Sequence, residues 1–193
     1  CMGGRFASSL KQAGYDALVI RGKASKPKYI LVSEDSIQIV DAGELMGKSP
    51  EEILAILSTK LRDFEVCATG IAGEGLCRYA NIVHPRFNGR YGIAGRGGLG
   101  AVMASKNLKA IVAQRSKESG VRIWSDTQLK AVRQTIQANL KTAPIPTNLA
   151  SFGTAITVAK NNYLGVLGTR NLNSEVFEYA ESISGERLKE NYY

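Results

Sequence analysis

Gly92-Ile93-Ala94-Gly95-Arg96-Gly97-Gly98-Leu99-Gly100-Ala101-Val102-Met103-Ala104-Ser105-Lys106-Asn107-Leu108-Lys109-Ala110-Ile111 is the most informative stretch of this 193-residue chain. Five glycines fall within the nine positions 92–100, with Arg96 among them. Glycine tolerates positive φ and lets the backbone approach a ligand with no side chain between, so successive N–H groups can converge on phosphate oxygens. Arg96 adds a planar, permanently charged donor. A short helix is predicted from Gly98 to Ser105, its N-terminus offering the favourable end of the helix dipole to an anion, and a strand is predicted at Leu108–Ala113. The plainer alternative is a tight glycine loop packed on a sheet with Arg96 solvated.

Gly95-Arg96-Gly97-Gly98-Leu99-Gly100 also satisfies G-x-G-x-x-G, which raises a dinucleotide-binding enzyme as a rival. Its context argues against that: only about seven residues separate Gly100 from Leu108, too few for the crossover helix of a βαβ unit. Outward from the run, positions 75 to 117 contain no Asp or Glu. They hold Arg78, Arg86, Arg90, Arg96, Lys106, Lys109, Arg115 and Lys117, eight basic residues that match the whole net charge of +8. An anionic partner is implied. A basic nucleic-acid-binding module is the second rival, though aromatic interleaving there is limited to Tyr79, Phe87 and Tyr91, and no nucleic acid is expected.

Upstream, Phe6–Ala13 reads as a short helix stopped at Gly14, and Ala17–Ile20 as a buried strand ending at Gly22. Tyr29–Val32 and Ser36–Val40 flank Glu34-Asp35 as a hairpin. Ser49-Pro50-Glu51-Glu52 places a capping serine, a first-turn proline and two acids before the apolar stripe Ile53, Leu54, Ile56, Leu57 and Leu61, which predicts a helix. Glu65–Thr69 and Tyr79–Val83 are predicted strands, separated by a tight glycine-rich turn at 70–75. Beyond Ser119 the texture becomes helix and loop: a helix capped by Asp126, a Pro144-Ile145-Pro146 linker, an apolar segment around Ala155–Ala159, and further segments at Ser174–Glu178 and Ser184–Leu188.

With 44% hydrophobic residues the chain can bury a core, and no stretch approaches the ~20 apolar residues of a membrane span. The expectation is a soluble, cytoplasmic protein with no membrane contact. Cys1, Cys67 and Cys77 are an odd number, at spacings that suit neither a disulfide framework nor a four-ligand metal site; none is assigned to a metal. His84, the sole histidine, precedes Pro85 and reads as structural or solvated rather than as a base. The start at Cys1 with Gly3-Gly4 close behind suggests sequence upstream.

Two runs, Leu10–Ala24 and above all Ala94–Ile111, resemble the aldehyde:ferredoxin oxidoreductase family. Weaker matches follow at Gly70–Glu74, Phe152–Ala155, Thr169–Asn171 and Ile183–Glu186, in family order. The resemblance implies an α+β fold: an N-terminal domain of two mixed β-sheets with flanking helices over residues 1–118, then the beginning of an all-helical domain over 119–193. It implies a tungsten or molybdenum bis-pterin cofactor resting on the first domain, with Gly95 and Arg96 at the pterin phosphates beside Ala94 and Gly97. Cys1-Met2-Gly3-Gly4 is similar to the family's Asn-x-Gly-Gly segment, which carries over Gly3 while Cys1 replaces the asparagine; Ile93 carries over as a backbone contact only, since Gly92-Ile93 replaces the family's Arg-Ala. The parent enzyme would interconvert a small aldehyde and its carboxylic acid, passing electrons through a [4Fe-4S] cluster to ferredoxin or a similar carrier. The cluster's ligands would lie outside this chain, no catalytic residue is assigned within it, the fragment alone is expected to be inactive, and a homo-oligomer is left open.

Overall fold

The structure, a computed structural model, describes residues 2–86, 88–115, 121 and 123–192. Two compact units divide the chain, Cys1–Arg122 and Ile123–Tyr193. The 118/119 division expected from the sequence, together with Cys1, Phe87 and Lys117, lies outside the described residues.

The first unit is built on β1 (Lys28–Val32), β2 (Ile37–Asp41), β3 (Phe64–Ala68), β4 (Ile82–Pro85), β5 (Tyr91–Ala94) and β6 (Leu108–Gln114). They form one six-stranded mixed sheet in the order β2-β1-β6-β3-β4-β5. The fold is α+β, but the described strands join in a single sheet where two were expected: β6 pairs with β1 on one side and β3 on the other, bridging the early hairpin to the later strands. The β1–β6 pairing is parallel and every other one antiparallel.

Alternation along the strands gives the sheet two apolar faces. Tyr29, Phe64, Val66, Ala68, Ala110 and Val112 pack on one side with Ile53, Leu54 and Leu57 of α2 (Pro50–Ser58, with α1 at Phe6–Gln12). Ile30, Val32 and Leu108 face the other side, against Ala13 at the end of α1 and Met103 of α4 (Leu99–Ser105, with α3 at Ile71–Glu74). A sheet covered on both faces satisfies each apolar stripe without a second sheet.

The local signals around α2 hold in detail. Ser49 Oγ accepts from Glu52 N–H at 3.2 Å while Glu52 Oε2 accepts from Ser49 N–H at 2.8 Å, a complete capping box. Ser49→Ala is expected to cost about 1 kcal/mol of stability, measurable as a lower urea midpoint.

Elsewhere tertiary context overrules the local signal. Ala17–Ile20 joins no ladder; Leu18 and Ile20 pack on the core while Val19 is 80% exposed. The glycine-rich break at 70–75 contains the short helix α3 rather than a turn alone, and the strand expected at Tyr79–Val83 begins only at Ile82.

The second unit holds α5 (Asp126–Thr142), α6 (Pro144–Phe152), α7 (Thr157–Tyr163) and α8 (Gly185–Tyr192). Ser125, not Asp126, caps α5 by accepting from Gln128 N–H. The expected linker Pro144-Ile145-Pro146 instead starts α6, because proline suits the first helical turn, where its missing N–H costs nothing. Ser174–Glu178 is not helical; Ser174 bridges to Thr169. No helix among the described residues is long and apolar enough to cross a membrane.

Candidate functional site

The glycine-rich run leaves the sheet from β5 and re-enters it as β6. β5 is the edge strand, so one side of its backbone has no strand partner among the described residues. Gly95, Arg96, Gly97 and Gly98 then form the turn into α4. Gly97 and Gly98 take φ of +78° and +62°, consecutive left-handed values that an L side chain resists. A β-carbon on Gly98 would also lie 2.2 Å from the Arg78 carbonyl oxygen, and one on Gly100 would lie 2.4 Å from that of Asn81. The segment Arg78–Asn81 is thereby pressed against the start of α4 and fixes the turn from below.

Among the described residues no hydrogen bond engages the N–H groups of Gly95, Arg96, Gly97 or Gly98, and the Arg96 side chain, exposed, has no ion-pair partner. Nothing would crowd a β-carbon at Gly97, so the turn opens outward. Four adjacent unpaired donors with a guanidinium among them suit a phosphate or another multiply charged oxyanion. The N-terminus of α4 contributes less than expected, because Gly100 N–H is already spent on the Ala80 carbonyl at 2.9 Å.

Gly3, assigned from a distant part of the sequence, comes to the same place. Its carbonyl oxygen lies over Gly92, where an added β-carbon would approach it to 1.9 Å. Gly3, Ile93, Ala94, Gly95, Arg96 and Gly97 therefore share one corner of the sheet. Two residues that hold this corner were not singled out from the sequence: Gly92, whose lack of a side chain admits Gly3, and Gly98, whose neighbour Gly97 drew the attention. Beside them Tyr91 faces Glu51 of α2, whose negative charge raises the phenol above its ordinary range.

The basic window is less free in space than in sequence. Lys109 is 2% exposed and pairs with Glu74 of α3, while its Nζ also donates to the Lys48 carbonyl at 3.2 Å. Both Glu74 carboxylate oxygens in turn accept from Gly47 N–H at 3.1 Å. Arg115 Nη2 lies 3.6 Å from Glu65 Oε1, and Lys106 Nζ donates to the Gly22 carbonyl. These three cations serve the fold, which corrects the expectation that the window as a whole faces an anion; Arg78, Arg90 and Arg96 remain exposed.

Strand order removes the dinucleotide unit. β3 and β4 separate β5 from β6, and the chain of antiparallel pairings makes β5 run opposite to β6, so no parallel βαβ crossover spans the glycine run. Cys67 is buried in β3 and burial pushes its thiol well above the ordinary range, whereas Cys77 is exposed; both are free. No group of three or more His, Cys, Asp or Glu side chains among the described residues is placed to hold a metal ion.

Known proteins resemble this chain over nearly its whole length. The family profile for the aldehyde ferredoxin oxidoreductase N-terminal domain matches residues 1–115, and that for domains 2 and 3 of the same family matches 131–193. Tungsten-containing aldehyde ferredoxin oxidoreductases from Pyrococcus horikoshii and Pyrococcus abyssi are 36% and 37% identical over 98% of this chain, which spans 31% of each. The chain thus covers about a third of the length of these relatives. Over 55% of its length it is 35% identical to the WOR-like subunit of an aliphatic sulfonate oxidoreductase from Pyrococcus furiosus. Among solved structures, the BamBC active-site complex of benzoyl coenzyme A reductase, bound to 1,5-dienoyl-CoA, superposes with a TM-score of 0.68 at 28% identity, over 98% of this chain and 30% of that one.

Proposed function

Since the chain belongs to the aldehyde ferredoxin oxidoreductase family, a family of enzymes, we propose that it forms the part of such an oxidoreductase that cradles a bis-pterin tungsten or molybdenum cofactor. The observation that carries the reading is the Gly95–Gly98 turn: four adjacent N–H groups without partners, an unpaired Arg96 side chain, and positive φ at Gly97 and Gly98, all at the edge of the sheet beside Gly3. A pterin phosphate fits that donor set in charge and in size.

In this reading the backbone of Gly95, Arg96 and Gly97 binds phosphate oxygens, the Arg96 guanidinium neutralises them, and the backbone at Gly3, Ile93 and Ala94 lines the approach of the pterin. When bound, the cofactor supplies two-electron chemistry between an aldehyde and its carboxylic acid, with electrons leaving through a [4Fe-4S] cluster towards ferredoxin or a similar carrier. This chain's part is to bind and orient; cluster ligands and the groups that handle the substrate belong to the remainder of the protein.

Elemental analysis of the complete reading frame, expressed and purified without oxygen, tests this. Tungsten or molybdenum together with about four irons per chain is the expected result. A folded complete protein free of all three metals would leave a plain anion-binding turn as the better account.

A further inference from the structure

His84 is fully buried in β4, and both ring nitrogens are engaged. Nδ1 lies 2.8 Å from the Val66 carbonyl oxygen, which can only accept, so Nδ1 carries a proton. Nε2 lies 3.3 Å from the Arg5 N–H, which can only donate, so Nε2 presents its lone pair. The ring is thus held by two backbone groups from distant parts of the chain. The Val66 bond has a clear origin: β3 and β4 share a single registered pair, Ala68 with Val83, and beyond it the imidazole takes the place of the next ladder partner.

The Arg5 bond reaches towards the cofactor corner. Gly4 takes φ of +117°, and a β-carbon there would lie 2.3 Å from His84 Cδ2 and 2.7 Å from Nε2, so the backbone at Gly4 lies directly on the ring. One residue further, the Gly3 carbonyl rests over Gly92. Phe6, at the start of α1, meets the ring edge-on at a centroid distance of 6.4 Å. Glu65 Oε2 lies 3.4 Å from Nε2, and its other oxygen lies 3.6 Å from Arg115 Nη2.

We propose that His84 is a positioning residue for the cofactor site: by accepting the Arg5 N–H through Nε2 it fixes the Met2–Arg5 segment so that Gly3 stands beside Ile93 and the Gly95–Gly98 turn. The inference rests on the proposed cofactor role of that corner. Its experimental signature separates the two ring nitrogens. Asparagine places an amide N–H near the position of Nδ1 and keeps the bond to Val66, but cannot reach Arg5. Glutamine places a carbonyl oxygen near Nε2 and keeps the bond from Arg5.

His84→Asn and His84→Gln in the complete protein, with Gly4→Ala as a third variant, provide the test, read as tungsten or molybdenum per chain and as amide exchange at Arg5 by mass spectrometry. Gly4→Ala leaves the core side chains untouched and displaces the segment from the ring, so it decides the outcome should His84→Asn fail to fold. The expected result is roughly tenfold faster Arg5 exchange and less than half the wild-type metal in His84→Asn and Gly4→Ala, with both readouts near wild type in His84→Gln. Equal behaviour of the asparagine and glutamine variants, or unchanged Arg5 exchange in Gly4→Ala, overturns the proposal and leaves His84 as core packing. A wild-type protein without tungsten or molybdenum would instead remove the cofactor reading, and Arg5 exchange alone would then decide whether His84 fixes the segment.

Discussion

Lys109→Met is expected to destabilise the Cys1–Arg122 unit by about 3 to 5 kcal/mol, the usual cost of removing one partner from a buried ion pair. The ammonium is 2% exposed, and its removal strands the Glu74 carboxylate between Gly47 and an apolar side chain while the Lys48 carbonyl loses its donor. Methionine retains the volume, so the loss reports charge rather than packing. The natural probe is Cys67: buried in β3, it should react with an alkylating reagent only when the unit opens, and urea-dependent labelling should show the midpoint fall. Replacing both partners, Lys109→Met with Glu74→Leu, should recover most of the loss, because no lone charge is then left inside. A single variant as stable as wild type would mean that Glu74 finds water or another cation when Lys109 is gone.

Arg96→Ala, in the complete protein, is expected to weaken cofactor retention roughly 10- to 100-fold, the range for a charge-assisted contact to phosphate. The direct measurement is metal per chain after extended dialysis. Arg96→Lys should fall between the two, since a point charge replaces a planar fork. Stability should change little, because the exposed guanidinium makes no hydrogen bond or ion pair among the described residues. Unchanged metal content in Arg96→Ala would contradict the assignment of this turn to the pterin phosphates.

The parts of the fold that were legible in the sequence are those fixed by neighbours in the chain. The β1–β2 hairpin follows from two apolar runs around Glu34-Asp35, and α2 from Ser49, Pro50 and Glu52. Where pairing depends on distant residues the sequence misled. Ala17–Ile20 has the composition of a strand and lacks a partner; Tyr91–Ala94 contains a glycine and offers little pattern, yet it completes the sheet because Ile82–Pro85 lies opposite. The glycine turn and Gly3 stood out in the sequence by their motifs, whereas the packing of Gly92 and His84 depends on Gly3 and Arg5, some eighty to ninety positions away. The charge window misled for the same reason, since Glu74 and Glu65, outside it in sequence, stand beside Lys109 and Arg115 in space.

The position of β6 bears on how the unit is made. Leu108–Gln114 is the last of the six described strands along the chain, yet it lies between β1 and β3, its pairing with β1 joining residues about eighty positions apart. While the ribosome is still extending the chain, the β1–β2 hairpin and the β3–β5 group each carry an open inner edge and half a core. Open edges of this kind are templates for pairing with other chains until β6 arrives. Emergence of one seven-residue strand closes both edges together, which makes completion of the first unit a single event.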